Sequence, residues 1–86
     1  MYTVYMVKCC DGTLYTGITK DLKRRLQAHN QGTASKYTRV RRPVTLVYRE
    51  GAVDRSAASK REYALKKLTR AQKQKLIEKA KTKAEK

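Results

Sequence analysis

Two short runs at the start of the chain, Tyr2–Lys8 and residues 13–18, limit what it can fold into more than any other feature. Both are rich in β-branched and aromatic residues. The segment between them, Cys9-Cys10-Asp11-Gly12, ends in a glycine, so the pattern predicts a β-hairpin. Register then matters, because side chains along a strand alternate between faces. A two-residue Asp11-Gly12 loop would send Tyr5 and Tyr15 to opposite faces. A three-residue Cys10-Asp11-Gly12 loop, with Gly12 in the left-handed conformation, pairs Cys9 with Thr13, Val7 with Tyr15 and Tyr5 with Gly17. Both phenols then share one face as diagonal neighbours, about 7–8 Å apart at the backbone, and Gly17 leaves a gap beside them. This second register is the expected one.

A helix follows at once. Thr19 is its expected cap, Asp21 suits its positive end and Gly32 closes it. At about 100° per residue, Leu22 and Leu26 define the buried direction. Arg25 and His29, one turn apart, fall within that arc, whereas Lys20, Lys23, Arg24 and Gln27 fall outside it. A guanidinium on the inward arc is always charged and needs a partner, and an anion such as phosphate fits it. His29 reads either as a satisfied histidine at the core edge or, through its i,i+4 relation to Arg25, as part of the same site.

Beyond Gly32 the chain passes through a polar loop to a third strand over residues 44–48, introduced by Pro43, with the first strand in the middle of a small sheet. A helix starting at Asp54 or Ser56 and reaching about Leu68 buries Ala57, Ala58, Ala64, Leu65 and Leu68. Thr69 and Gln72 match a capping box for a last helix, which has Ala71, Leu76, Ile77 and Ala80 to bury. The expected fold is α+β, a small three-stranded antiparallel sheet flanked by helices in the order β-β-α-β-α-α. Residues 1–78 form one domain, and 79–86 form a basic, frayed tail. Glu62 borders the buried stripe of its helix; taken alone it reads as a surface residue paired with a nearby lysine.

Lysine and arginine number 22 against seven acidic residues, a formal charge of +15, so a polyanionic partner is expected. Between Lys20 and Arg42 lie eight basic residues and one acid, Asp21. Lys20, Arg24, Lys36, Arg39, Arg41 and Arg42 are candidate contacts to a phosphate backbone, and Tyr37 is a candidate surface for stacking an unpaired base. A merely solubilising surface is the plainer alternative. Six tyrosines, with no Phe or Trp, supply all aromatic packing, and for Tyr2, Tyr48 and Tyr63 core or sheet packing is sufficient. A single domain of 86 residues buries about 60–65% of its unfolded surface. The adjacent Cys9 and Cys10 fit neither a disulfide nor zinc-ligand spacing, which points to a reducing cytoplasm. No apolar run approaches the ~18 residues of a spanning helix and no signal-peptide core follows Met1. A soluble cytoplasmic protein with no membrane partner is therefore expected.

Thr3-Val4-Tyr5, Tyr15-Thr16-Gly17, the Arg25 and His29 pair and the helical Glu62, in this order and spacing, resemble the GIY-YIG nuclease superfamily over about residues 2–77. The similarity is greatest to short stand-alone bacterial members, which carry segments like Lys36-Tyr37-Thr38-Arg39, Arg41-Arg42-Pro43-Val44 and Leu46-Val47-Tyr48. Thr3 replaces the first Gly of the name motif and Thr16 the middle residue of the second, positions where no side-chain chemistry is expected. The resemblance implies an endonuclease that hydrolyses phosphodiester bonds, in DNA rather than RNA, with low intrinsic sequence specificity. It would act as a monomer, with a possible partner protein for targeting because no separate DNA-binding domain is visible. Tyr15, or alternatively Tyr5, would take a proton from the attacking water. Arg25 would lower the phenol's pKa and stabilise the charged transition state. Glu62 would hold one weakly bound Mg²⁺ or Mn²⁺ ion, and His29 would either orient a tyrosine or relay its proton. Two rival readings are a non-catalytic nucleic-acid-binding protein that keeps the nuclease fold, and a small accessory protein whose basic tail docks to an acidic partner or ribosomal RNA.

Overall fold

In the computed structural model, which describes residues 1–84, the chain first reverses at Cys10-Asp11-Gly12, where Gly12 has φ 86°. Cys9 N–H donates to Thr13 O at 2.8 Å, closing the three-residue loop. Strands β1 (Tyr2–Lys8) and β2 (Leu14–Thr19) pair antiparallel, with Val7 opposite Tyr15 and Tyr5 opposite Gly17. The expected register is the observed one.

Strand β3 (Thr45–Ala52) pairs antiparallel with the other edge of β1, giving the sheet order β2-β1-β3. It is longer than the stretch expected from residues 44–48. The extension, Arg49-Glu50-Gly51-Ala52, lacks apolar alternation because it lies on an edge strand whose partners hold it through backbone bonds. The register shifts between Met6 and Val7, which pair with Tyr48 and Leu46. Val47 is the extra residue of a bulge, and the inserted residue moves the following side chains to the other face. Leu46 therefore packs with Tyr5, Val7, Cys9 and Val44, and Tyr48 with Val4, Ala58 and Leu65.

Helix α1 (Leu22–Gln31) covers the first of these faces through Leu22 and Leu26. Its cap is Asp21, whose Oδ1 accepts from Arg24 N–H at 3.1 Å, and not Thr19, whose hydroxyl accepts from the Asp21 N–H. A carboxylate two residues closer to the first turn reaches the free amide better. A one-turn helix α2 (Lys36–Arg39), capped by Ser35, interrupts what reads from sequence as a polar loop. A peptide of four residues has too little length for a helical period, so pattern alone does not reveal it. The Arg42–Pro43 peptide that leads to β3 is cis.

Helices α3 (Arg55–Lys66) and α4 (Arg70–Ala84) cover the opposite face, where Val4, Ala58 and Leu65 are buried with Leu68 and Leu76 against them. A valine or leucine side chain such as Val4 or Leu65 contributes about 1.5–3 kcal/mol when fully buried. Asp54 caps α3. The expected capping box opens α4: Gln72 N–H donates to Thr69 Oγ1 at 3.2 Å, and Thr69 N–H donates to Gln72 Oε1 at 2.9 Å. Ala64 and Ala71 face solvent, unlike the expectation, because a small side chain on a helix flank gains little from burial. Tyr63 is likewise exposed, with the Lys67 ammonium 4.3 Å from its ring centre. Of the expected frayed tail, Glu85 and Lys86 lie outside the described residues. Among the described residues no helix is long and apolar enough to cross a membrane.

Candidate active site

The site is built on the sheet face covered by α1. Tyr5 is fully buried, and its ring lies over Gly17 so closely that a Cβ there would stand 2.6 Å from the phenol oxygen. The missing side chain makes the slot the ring occupies. Tyr5 Oη is 2.7 Å from His29 Nε2, and His29 Nδ1 is 2.8 Å from Thr38 Oγ1; His29 and Thr38 are themselves fully buried. Bond direction follows from the neighbours. The Ser35 carbonyl can only accept, so the Thr38 hydroxyl donates to it at 3.4 Å and its oxygen accepts from His29 Nδ1–H. Nε2 is then left to accept the phenol proton. His29 is thus neutral, in the Nδ1–H tautomer.

Burial first, and the Tyr15 phenol second, push the Tyr5 pKa up to about 12, against the opposing effect of Arg25; Glu62 adds a smaller push in the same direction. One phenol therefore lies within electrostatic reach of all the other candidate groups. Burial, reinforced by the Arg25 charge, holds the His29 pKa below its ordinary value.

Tyr15 is half-buried on the same face, its ring 5.3 Å from that of His29 and edge-on to it. Its other neighbour is Tyr37, stacked at 5.9 Å and 24°. Arg41 stands 4.0 Å from the Tyr37 ring centre and pairs with Asp11 at 3.1 Å. Tyr37 and Arg41 thus tie the hairpin tip to α2. Glu62 is half-buried and pairs with Lys66 at 3.6 Å. Arg25 is half-buried at the wall of a cavity it shares with Lys20 and Arg55.

Lys20 and Arg24 are exposed near the start of α1, and Lys36 and Arg39 are exposed on α2 beyond its other end, about 15 Å away along a ten-residue helix. Arg42 directs Nε to Arg39 O at 2.8 Å and Arg41 directs Nη1 to Tyr37 O at 2.8 Å, so both brace the α2 loop. Thr38, which completes the buried chain, is the residue of this cluster that sequence reasoning overlooks. A hint lies only in Ser35 as a cap, since a short helix there turns Thr38 inward.

Among the described residues no three His, Cys, Asp or Glu side chains gather as a metal cluster. A single carboxylate, Glu62, and the Arg25 guanidinium are both within electrostatic reach of the Tyr5 phenol. Such a set fits a hard divalent ion that keeps most of its waters and takes its other oxygens from phosphate.

A central-strand phenol held by an α1 histidine, with a second phenol, an α1 guanidinium and an α3 carboxylate around it, on a three-stranded α+β fold, defines a GIY-YIG catalytic domain. That domain family matches residues 1–75, and the chain belongs to it. Within the family it is similar to small bacterial UPF0213 proteins. The one from Desulfotalea psychrophila is 57% identical over 75 residues, covering 86% of this chain and 68% of the relative. One from Staphylococcus epidermidis is 55% identical over 75 residues, covering 87% and 92%. Two solution structures share the fold. The UPF0213 protein BH0048 of Bacillus halodurans has TM-score 0.58 at 39% identity, over 91% of this chain and 84% of that one. EF2693 of E. faecalis has TM-score 0.59 at 45% identity, over 87% and 81%.

Proposed function

We propose that the protein is a metal-dependent endonuclease that hydrolyses phosphodiester bonds in nucleic acid, DNA before RNA, with low intrinsic sequence specificity. GIY-YIG domains act on nucleic acid and typically depend on a metal ion. The observation that carries the reading is the contrast between the two phenols. Tyr5 is fully buried with its proton directed to His29, while Tyr15 is half-buried beside it. A substrate reaches Tyr15 first. Tyr15 serves as the general base for the water that attacks phosphorus. Tyr5, fixed by His29, orients that group and Arg25. Arg25 stabilises the charge that develops on the phosphoryl oxygens. Glu62 holds the Mg²⁺ or Mn²⁺ ion, which when bound supplies Lewis-acid stabilisation of the leaving oxygen.

The Glu62–Lys66 ion pair favours a second reading, a binding protein that keeps the fold without chemistry, because a paired carboxylate must give up its partner to take a cation. Cleavage of end-labelled duplex, single-stranded, flapped and branched DNA, and of RNA, at low salt with Mg²⁺, Mn²⁺ or EDTA separates the two. Metal-dependent cutting, slowed about 10²–10⁴-fold by Tyr15→Phe, is the expected result. Binding without cutting under every condition would establish the second reading.

A further inference from the structure

A cavity of about 350 Å³ opens where the end of β2 meets the starts of α1 and α3. Its volume falls at the small end of the range for ligand pockets, about 300–1,000 Å³. Three cations line it: Lys20, Arg25 and Arg55. The one carboxylate there, Asp21, is occupied as the cap of α1, accepting from Arg24 N–H. Asp54, the acid next to Arg55 in sequence, is occupied as the cap of α3. Among the described residues the Arg55 guanidinium makes no hydrogen bond or ion pair, and the Lys20 ammonium has only the Tyr2 ring, 5.3 Å away. Like charges that converge on one space repel each other, and their approach is favourable only when an anion enters between them. Tyr2 and Ile18 add an apolar wall, a surface suited to a sugar.

We propose that this cavity is a phosphodiester subsite, in which Arg55 and Lys20 hold the backbone phosphate next to the one faced by Arg25. The assignment rests on the nucleic-acid reading above but needs no catalysis. Arg25 is the link, since it lines the cavity and also acts on the Tyr5 phenol. A strand bound here leads from the reacting centre past the start of α1 toward the start of α3. Arg55 thereby becomes a nucleic-acid contact outside the Lys20 to Arg42 stretch. The subsite reads backbone charge and not base identity, so it adds affinity without sequence preference.

The test is fluorescence anisotropy of a labelled oligodeoxythymidylate over a series of salt concentrations in EDTA, where no cutting interferes. Arg55→Gln should reduce the slope of log affinity against log salt by about 0.7, the loss of one single-strand phosphate contact. Arg55→Lys, which keeps the charge, should leave the slope unchanged and controls for any effect on the start of α3. Lys67→Gln, at the far end of α3, should also leave it unchanged. A wild-type slope in Arg55→Gln, with wild-type protein binding well, would overturn the subsite and leave the nuclease reading standing. Absence of wild-type binding to DNA and to an RNA counterpart would overturn both.

Discussion

Tyr5 satisfies two neighbours at once: Gly17 gives its ring room and His29 takes its proton, while the Arg25 charge opposes the rise in its pKa. Its raised pKa makes stability pH-dependent. Below pH 10, the ordinary value, both folded and unfolded chains keep the proton and the contribution is complete. Between pH 10 and about 12 the unfolded chain loses a proton that the folded chain keeps, so stability falls as pH rises, by roughly 2–3 kcal/mol over those two units. Urea midpoints measured across this window should show the advantage of wild type over Tyr5→Phe shrinking; parallel curves would contradict the assignment. For His29, with its pKa lowered, the sign is opposite. The unfolded chain gains a proton as pH drops below 6.5, and stability falls there. Thr38→Val removes the acceptor for Nδ1–H while keeping the shape. Imidazole nitrogen shifts should then lose the single Nδ1–H tautomer and cleavage should slow by about tenfold or more, with Thr38→Ser restoring both. Unchanged shifts in Thr38→Val would show that Thr38 fills space only. The shared face of Tyr5 and Tyr15 is legible in sequence because a hairpin register fixes it. The difference in burial between them is not, because it depends on how α1 and α2 close over the sheet.

Among the elements, β2 carries two positions with opposite demands. Gly17 faces the Tyr5 ring, and Gly17→Ala places a Cβ 2.6 Å from Oη and 2.8 Å from Cζ. Since that ring is anchored by His29, the variant should lose about 1–3 kcal/mol and, with it, most activity. A denaturant midpoint equal to wild type would mean that Tyr5 is free to move. Thr16, its neighbour on the other face, is buried at 3% exposure with no hydrogen-bond partner for Oγ1. Thr16→Val should therefore stabilise the protein by about 1 kcal/mol, raising Tm by about 4–8 °C, and leave cleavage unchanged; a lower Tm would show that the hydroxyl has a role. The hairpin, the Asp54 cap, and the Thr69 and Gln72 box are legible because local chemistry sets them. The bulge at Val47 and helix α2 are not. Both depend on partners distant in sequence, Met6 and Val7 for the first and the His29–Thr38 contact for the second.

At the scale of the molecule, order and topology follow from sequence because the elements are few and short, so that β3, arriving after β1 and β2 have paired, adds to the open edge of β1. Surface charge is the exception. Within the basic stretch from Lys20 to Arg42, α1 separates Lys20 and Arg24 from Lys36 and Arg39, and Arg41 and Arg42 each bond a backbone carbonyl of the α2 loop. Under the proposed function, binding rests chiefly on the net charge of +15, which draws in a polyanion, and chemistry on a few side chains, with Arg25 alone serving both. That separation is the central claim. Its most direct test is single-turnover cleavage and equilibrium binding measured side by side for wild type, Arg25→Ala and Glu62→Ala, at low salt with Mg²⁺. The predicted result is that wild type cuts, that each substitution slows cutting by about 10²–10³-fold or more, and that Glu62→Ala still binds as tightly as wild type. Wild-type rates in Glu62→Ala, or binding by wild type with no cutting in any metal, would contradict it.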